Sequence, residues 1–351
     1  MPVPPVLLAI DGNSLLHRAF HSLQPAGPVL GEPVWAVRGL LTQIGRAIDR
    51  VGASAVIVGF DDPSASARAA RYPGYKAHRA DKPAELCSQL LVAEEVVAAA
   101  GLAAVRPDEL EADDVLASAA RLARDAGWRC VLVTSDRDAF TLVDDTTSVL
   151  RIINGGVEMS PLLTPERIVQ VTGVAPRRYA ELAALRGDLS DNLPGVAGIG
   201  PKIAACLLAG LGNLDAVLAD AAAGGRRIAP IAGTTVAARL AEAETAAILR
   251  RNLDLMATID SIPTGVDLSA EAGVGRLPGA ETVVRGAAVD RIGWAPSVFV
   301  AAVCGLELAA AAPRFRPASY AANPPVQVLP PGLSRPIPAA RPRDVDQGAA
   351  F

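Results

Sequence analysis

Val6-Leu-Leu-Ala-Ile-Asp11-Gly12-Asn13 is a short apolar run that ends on an aspartate and a turn. An unbroken apolar run of this length reads as a strand buried on both faces, the form strands take in a parallel sheet covered by helices. Asp11 then sits at a strand's carboxyl end, and Asn13 or Ser14 can cap the helix that follows. The same form returns at residues 55–60, which lead into Asp61, and at 130–135, which end at Asp136 with Asp138 two residues beyond. Between them run amphipathic periods such as Val37, Leu40, Leu41, Ile44, Ile48 and Val51. Strands alternating with helices predict an α/β fold with a parallel, doubly wound sheet. Ligands of such sheets collect beyond the carboxyl ends of the strands, so three aspartates are aimed at one edge.

Glu111-Ala-Asp113-Asp114 opens a further helix, carried by Val115, Leu116, Ala119 and Leu122, on the same side. Acidic residues in a first helical turn gain about 0.3–1 kcal/mol each from the helix dipole, and any one strand-end aspartate can be a cap or turn former. Capping alone does not require an acid at every strand end. Between the second and third acidic strands lies a basic stretch with Arg68, Arg71, Tyr72, Tyr75, Lys76, Arg79 and Lys82, in which Asp81 is the one acid. Cations that track a backbone, interleaved with aromatic faces, suit single-stranded nucleic acid. A solvated surface loop is the plainer reading.

A second informative stretch is Arg186-Gly-Asp188-Leu-Ser-Asp191-Asn-Leu-Pro-Gly-Val-Ala-Gly198-Ile-Gly200-Pro-Lys202. Gly-Ile-Gly leading into Pro-Lys and an apolar helix is the hairpin of a helix-hairpin-helix element, where backbone N–H groups and a helix N-terminus meet a phosphate.

The chain has 351 residues, 51% of them hydrophobic and 4% aromatic, enough for two domains without disulfide support. Its four cysteines, Cys87, Cys130, Cys206 and Cys304, show no metal-ligand spacing and are expected as buried thiols of a reducing compartment. No leader and no run of eighteen apolar residues is present, so a monomeric cytoplasmic protein with no membrane partner is expected. The net charge of −4 does not favour nucleic acid. The placement of lysine does: of 33 basic residues only Lys76, Lys82 and Lys202 are lysine, and all fall in the two stretches suited to phosphate. His17 and His21, one helical turn apart, lack a third ligand and are read as packing or phosphate-side residues. Residues 207–308 read as helical. Prolines from Pro313 to Pro342 and the loss of any apolar period predict a disordered tail over 311–351, whose arginines add weak nucleic-acid attraction.

Asp11, Asp61, Glu111, Asp113, Asp114, Asp136, Asp138, Asp188 and Asp191 could not all stay ionised in one crevice without cations. Oxygen ligands alone select Mg²⁺ or Mn²⁺. Two such ions about 3.5–4 Å apart form the clamp for in-line attack on a phosphodiester, with Lys76, Arg79 and Arg18 holding the phosphate.

These motifs, together with Gly74-Tyr-Lys76-Ala-His-Arg79 and Thr134-Ser-Asp136-Arg-Asp138, resemble the bacterial 5′→3′ exonuclease family over residues 6–300. That family includes the N-terminal nuclease domain of DNA polymerase I and is related to flap endonucleases. The resemblance implies a PIN-like catalytic domain over 1–185 with a helical arch over about 64–95. It also implies a helical region over 186–310 with a helix-hairpin-helix at about 186–210 that binds duplex DNA, often with K⁺. Asp11, Asp61, Glu111 and Asp113 match ligands of a first metal; Asp136, Asp138, Asp188 and Asp191 match those of a second, with Asp114 supporting. Tyr72, Tyr75, Lys82, Gly198, Gly200 and Lys202 are expected on DNA. The implied activity is removal of 5′ flaps and RNA primers in replication and repair, alongside a polymerase and a ligase. Ile203 departs from the family's usual threonine, and the chain is expected to be a free-standing nuclease. A catalytically inactive DNA-structure-binding module would keep the hairpin but lose acids, and a phosphoaspartyl-transfer domain would need far fewer acids and no hairpin.

Overall fold

The computed structural model describes residues 3–23, 34–269 and 276–278. Residues 24–33, Cys304 and the proline-rich stretch expected as a tail lie outside the described residues. In chain order the first elements are β1 (Val6–Asp11), α1 (Gly12–Ser22), α2 (Trp35–Val51), β2 (Ala55–Gly59), α3 (Ala67–Arg71), α4 (Ala84–Ala99), β3 (Ala103–Val105), α5 (Ala112–Asp125) and β4 (Arg129–Thr134). A 3₁₀ turn (Asp138–Leu142), β5 (Thr147–Arg151), α6 (Gly156–Met159), β6 (Leu162–Leu163), α7 (Pro165–Thr172), a second 3₁₀ turn (Pro176–Arg178) and α8 (Tyr179–Arg186) follow. The helical remainder is α9 (Pro201–Leu211), α10 (Leu214–Ala222), α11 (Ala229–Ala232), α12 (Thr234–Leu240) and α13 (Ala243–Met256).

The strands form one sheet in the order β3-β2-β1-β4-β5-β6. Neighbours from β3 to β5 pair in parallel and β6 runs antiparallel to β5. Alternate residues of each strand feed two cores. Leu7, Ala9, Ile57 and Leu132 pack toward α5 and α8, while Leu8, Ile10, Val58 and Val133 pack toward α1, α2 and α4. Both faces being covered, the strands need no polar alternation, which is why the sequence shows none. β1 lies between β2 and β4, so the chain leaves it in one direction and later returns on the other side. The crevice at that switch point is where the aspartates stand.

The first core continues without a break from the sheet into α9, α10, α12 and α13. The expected boundary at 185/186 therefore divides motifs rather than packing. Within the expected helical run, residues 257–267 form no helix, and they cross back to lie along α5. Thr258-Ile-Asp-Ser-Ile-Pro263 has the β-branched residues and proline that oppose a helix. Of the cysteines, Cys130 is buried, whereas Cys87 and Cys206 are exposed, contrary to the expectation of buried thiols. They fall on the outer faces of α4 and α9, where a small side chain carries no signal of which way it faces. Among the described residues no single helix is long and apolar enough to cross a membrane. The bent pair α9–α10 passes on composition, and its apolar side belongs to the core.

One glycine sets how closely α5 approaches the sheet. A Cβ on Gly59, at the end of β2, would stand 2.8 Å from Val115 Cβ and 3.2 Å from Ala112 O. Gly59→Ala is expected to cost about 1–3 kcal/mol as overpacking. Urea denaturation would show it as a lower midpoint at unchanged slope.

Candidate active site

Asp11 closes β1, Asp61 follows β2 by two residues and Asp136 follows β4 by two, so adjacent strands deliver them together. Their carboxylates are tied to the frame: both oxygens of Asp11 and of Asp61 accept hydrogen bonds, and one oxygen of Asp136 does. Asp11 caps α1 by accepting from Ser14 N (2.8 Å) and accepts from the Thr134 hydroxyl (2.8 Å). Asp61 accepts from Ala112 N (2.9 Å), at the start of α5, and from Asn13 Nδ2 (2.5 Å). Asp136 accepts from Asp138 N (3.0 Å), and Ser14 meets Ser135 across the crevice at 2.5 Å. Asn13 and Thr134 are functional neighbours that the sequence reading missed, although both stand within two residues of a strand-end acid.

These acids and Glu111 and Asp113 line a cavity of about 800 Å³. The same cavity has a basic lining, His17, Arg18 and His21 from α1 and Lys76, Arg79 and Lys82 from the segment between α3 and α4, with Lys76 in direct contact with Glu111. The two imidazoles stand with centroids 4.5 Å apart. Burial, then His21, Lys82 and Arg79, hold His17 below its ordinary pKa. Arg18 also donates to Asn154 (3.4 Å). Asp138 and Asp191 line a smaller cavity that shares Glu111 and Asp113 with the first.

Crowding shows in the protonation of the acids. Burial, then the Asp61 charge, pushes Asp11 up to about 7 against the help of its two hydrogen bonds. Burial followed by Asp136 raises Asp113, and burial followed by Asp136, Asp191 and Asp188 raises Asp138. Asp191 is raised by burial against the pull of Lys76 and Arg79. The Asp136 charge thus acts on acids of both groups, Asp11 and Asp113 as well as Asp138 and Asp191. Lys76 loses basicity to burial, but the charges of Glu111, Asp191 and Asp113 more than restore it. Its Nζ donates to Glu111 Oε2 (3.0 Å), and Arg79 donates to Asp191 Oδ1 (2.8 Å).

Asp114 has a different setting. It is fully buried, and both its oxygens are taken by Arg68 (2.8 and 2.7 Å), with Glu111 N and Ile259 N as further donors. No lone pair is left for a metal, so its part is to hold Glu111. Two expectations for the basic stretch are corrected with it. Arg68 is buried in that pair and tracks no nucleic acid. Tyr75, expected as a base-stacking face, is 6% exposed and donates to Glu111 Oε2 (3.1 Å). Tyr72 is half-buried beneath the Arg251 guanidinium, 4.0 Å from its ring centroid, and Arg71 pairs with Asp254. A run of charge and aromatic rings looks the same in sequence whether it faces solvent or folds inward.

The second acid pair and the hairpin share one loop between α8 and α9. Asp188 accepts from Ser190 N (2.8 Å) and pairs with Arg186 (3.1 Å), and Lys76 N donates to Asp191 O (3.0 Å). Gly198 takes φ +92°, Gly200 caps α9 without a side chain, and Lys202 is exposed in its first turn. Ile199 is buried and Ile203 packs on the core.

The raised acids fix a sign. A carboxyl whose folded pKa exceeds its unfolded value holds a proton in the fold that the unfolded chain has released, so stability falls as pH rises between the two values. For Asp11 that window runs from 3.8 to about 7. In chelator, Asp11→Asn is expected to melt higher than wild type at pH 8, with the gap closing toward pH 5. A gap independent of pH would contradict the coupling.

Residues 6–173 match the family model for the N-terminal resolvase-like domain of 5′-3′ exonucleases, and residues 174–271 match that for the 5′-3′ exonuclease C-terminal SAM fold. The chain is similar to DNA polymerase I of Mycobacterium tuberculosis, 39% identical over 61% of this chain and 24% of that one. It is also similar to the thermostable DNA polymerase I of Thermus aquaticus, 41% identical over 60% of this chain and 25% of that one. With DNA polymerase I of Deinococcus radiodurans the identity is 34% over 78% of this chain and 27% of that one. The chain spans about a quarter of the length of these curated relatives. Among solved structures, T5 5′-exonuclease with divalent metal ions (zinc) bound aligns at TM-score 0.56 and 23% identity over 72% of this chain and 89% of that one. The catalytic core of Rad2 in complex with DNA substrate aligns at 0.53 and 14% over 86% and 92%. These structures share the fold. With the strand-end acids in the first matched domain and the hairpin in the second, the chain belongs to the 5′-3′ exonuclease family.

Proposed function

We propose that this chain hydrolyses phosphodiesters at the 5′ end or 5′ flap of duplex DNA, and of RNA-primed strands, with divalent cations. The observation that carries this is the crevice at the ends of β1, β2 and β4 lined by both acids and cations, on a chain whose Gly198–Lys202 turn has the form of a phosphate-binding hairpin. The inactive-module reading is disfavoured because every acid of the sequence motif is present.

The acids fit a cation site by chemistry: all are oxygen donors, and burial, followed by mutual repulsion, raises the pKa of several of them until positive charge arrives. Among the described residues no three stand close enough around one point to form a finished cage, as expected of like charges that lean on protein donors. Asp11, Asp61, Glu111 and Asp113, with Asp136, Asp138, Asp188 and Asp191 beside them, would hold two ions of the Mg²⁺ or Mn²⁺ kind. Such ions supply an activated water and charge neutralisation when bound. T5 5′-exonuclease carried divalent ions in its crystal, which agrees with this reading.

The chain's own residues do the rest. Lys76 and Arg79 stand beside Glu111 and Asp191 and would hold the scissile phosphate where negative charge develops, with Arg18 and Lys82 on the approach. The segment around 64–95 would act as the arch over that approach. The hairpin at Gly198, Gly200 and Lys202 would grip the duplex backbone, with K⁺ shared between carbonyls and phosphate. A place in replication and repair beside a polymerase and a ligase follows from the flap substrate, and the enzyme would act as a monomer.

A labelled 5′-flap duplex incubated with protein and Mg²⁺ or Mn²⁺ is expected to release 5′ products, and chelation to stop release. An intact but bound substrate would instead favour the binding module. Asp136→Ala is expected to lower turnover at least about a hundredfold with DNA affinity retained. Lys202→Ala should weaken binding across sequences and reduce the salt slope by about 1.

A further inference from the structure

We infer that Arg68 is a positioning residue for Glu111, and that its grip depends on a C-terminal strap, residues 255–262, which completes the catalytic unit. This rests on the proposed nuclease reading, in which Glu111 is a metal ligand.

Arg68 has five N–H donors and all five are used. Nε donates to Leu255 O (2.9 Å), and Nη1 to Asp114 Oδ2 (2.8 Å) and Glu111 Oε2 (3.3 Å). Nη2 donates to Asp114 Oδ1 (2.7 Å) and Ala257 O (3.0 Å). The acceptors come from two distant places, the start of α5 and the strap, 187 residues along the chain from Arg68 in the case of Leu255. Asp114 is saturated in turn. Its remaining lone pairs accept from Glu111 N (3.1 Å) and from Ile259 N (2.9 Å). One turn along α5, buried Ser118 fastens the strap again: it donates to Asp114 O (2.8 Å) and accepts from Ile262 N (3.0 Å).

The geometry has a consequence for the reaction. Glu111 Oε2 is steered by Arg68, while its backbone is steered by Asp114, and both of those are held by strap carbonyls and amides. A lysine at position 68 would keep the charge but could not reach five acceptors in two directions. Loss of the strap would leave Arg68 with two unfilled donors and Asp114 with one unfilled lone pair, and the pair would relax around Glu111. Donor groups behind a metal ligand typically change metal affinity or activity by about 10–100-fold when removed.

The test uses the full chain, three variants and a control variant. Arg68→Lys and Ser118→Ala weaken the node by side chain, and Ile259→Pro removes one backbone donor; Ile259→Ala, which keeps that donor and trims an exposed side chain, is the control. Three quantities are read: kcat and KM on a 5′-flap duplex, the heat of Mn²⁺ binding to the DNA-free protein, and the folded fraction by circular dichroism at the assay temperature. For Arg68→Lys and Ile259→Pro the expected result is a fall of about tenfold or more in both kcat and Mn²⁺ affinity. KM for DNA should stay within about threefold, Ser118→Ala should fall between these variants and wild type, and Ile259→Ala should match wild type. Wild-type kcat and Mn²⁺ affinity in folded Arg68→Lys or Ser118→Ala protein would overturn the inference, as would losses that merely track the unfolded fraction. A wild-type protein that neither cleaves nor binds Mn²⁺ would instead overturn the nuclease reading.

Discussion

Like-charge repulsion at one edge of the sheet is the constraint that the rest of the structure answers. Buried carboxylates a few ångströms apart raise one another's pKa and push the elements that carry them apart. The fold resists by giving the carboxylates donors on the frame: Asp11 accepts from Ser14 and Thr134, Asp61 from Ala112 and Asn13, and Glu111 from Arg68, Tyr75 and Lys76. All three still line the cavity. A parallel sheet suits this task, because neighbouring strands end together and rigid hydrogen-bonded ladders hold their ends in place against the repulsion.

The cationic part of the cavity lining has a related origin. Lys76 and Arg79 lie on a segment with little regular structure, and what fixes them is pairing with Glu111 and Asp191. The acids and the cations therefore order one another. The loop from Gly187 to Gly200 extends the same economy: it carries Asp188 and Asp191 at one end and the hairpin glycines at the other. Gly187 and Gly195 make this possible by close backbone approach, since a Cβ on Gly195 would lie 2.2 Å from Gly187 N.

Strand-end aspartates and the Gly-Ile-Gly-Pro-Lys turn were legible in the sequence because each is a local pattern whose meaning is set by its neighbours in the chain. Their convergence followed from one rule about parallel sheets. The inward turn of Arg68 and Tyr75 was not legible, since a basic run with tyrosines has the same spelling whether solvent or an acid receives it, and its receivers lie far off in sequence. Asp114 shows the limit most sharply. It sits beside two acids that face the crevice, yet position N3 of the helix points it at Arg68 instead. The strap was missed for a similar reason: residues 257–267 have no period of their own, and their shape is imposed by Asp114 and Ser118.

That last dependence bears on how the molecule is assembled. A site built from β1, β2, β4 and α5 contains all its strand-end acids by residue 136, but the node that orients Glu111 is closed by carbonyls at Leu255 and Ala257. Closing it brings together residues separated by most of the described chain, a late event for any polymer that must give up loop entropy before gaining the contact. Until then Arg68 has a buried charge pair with part of its hydrogen bonding unmade, an arrangement that favours solvent over the interior. The acid-bearing edge of the sheet and the helical region are thus tied through one hydrogen-bonded node, Arg68 and Asp114, whose partners come from both.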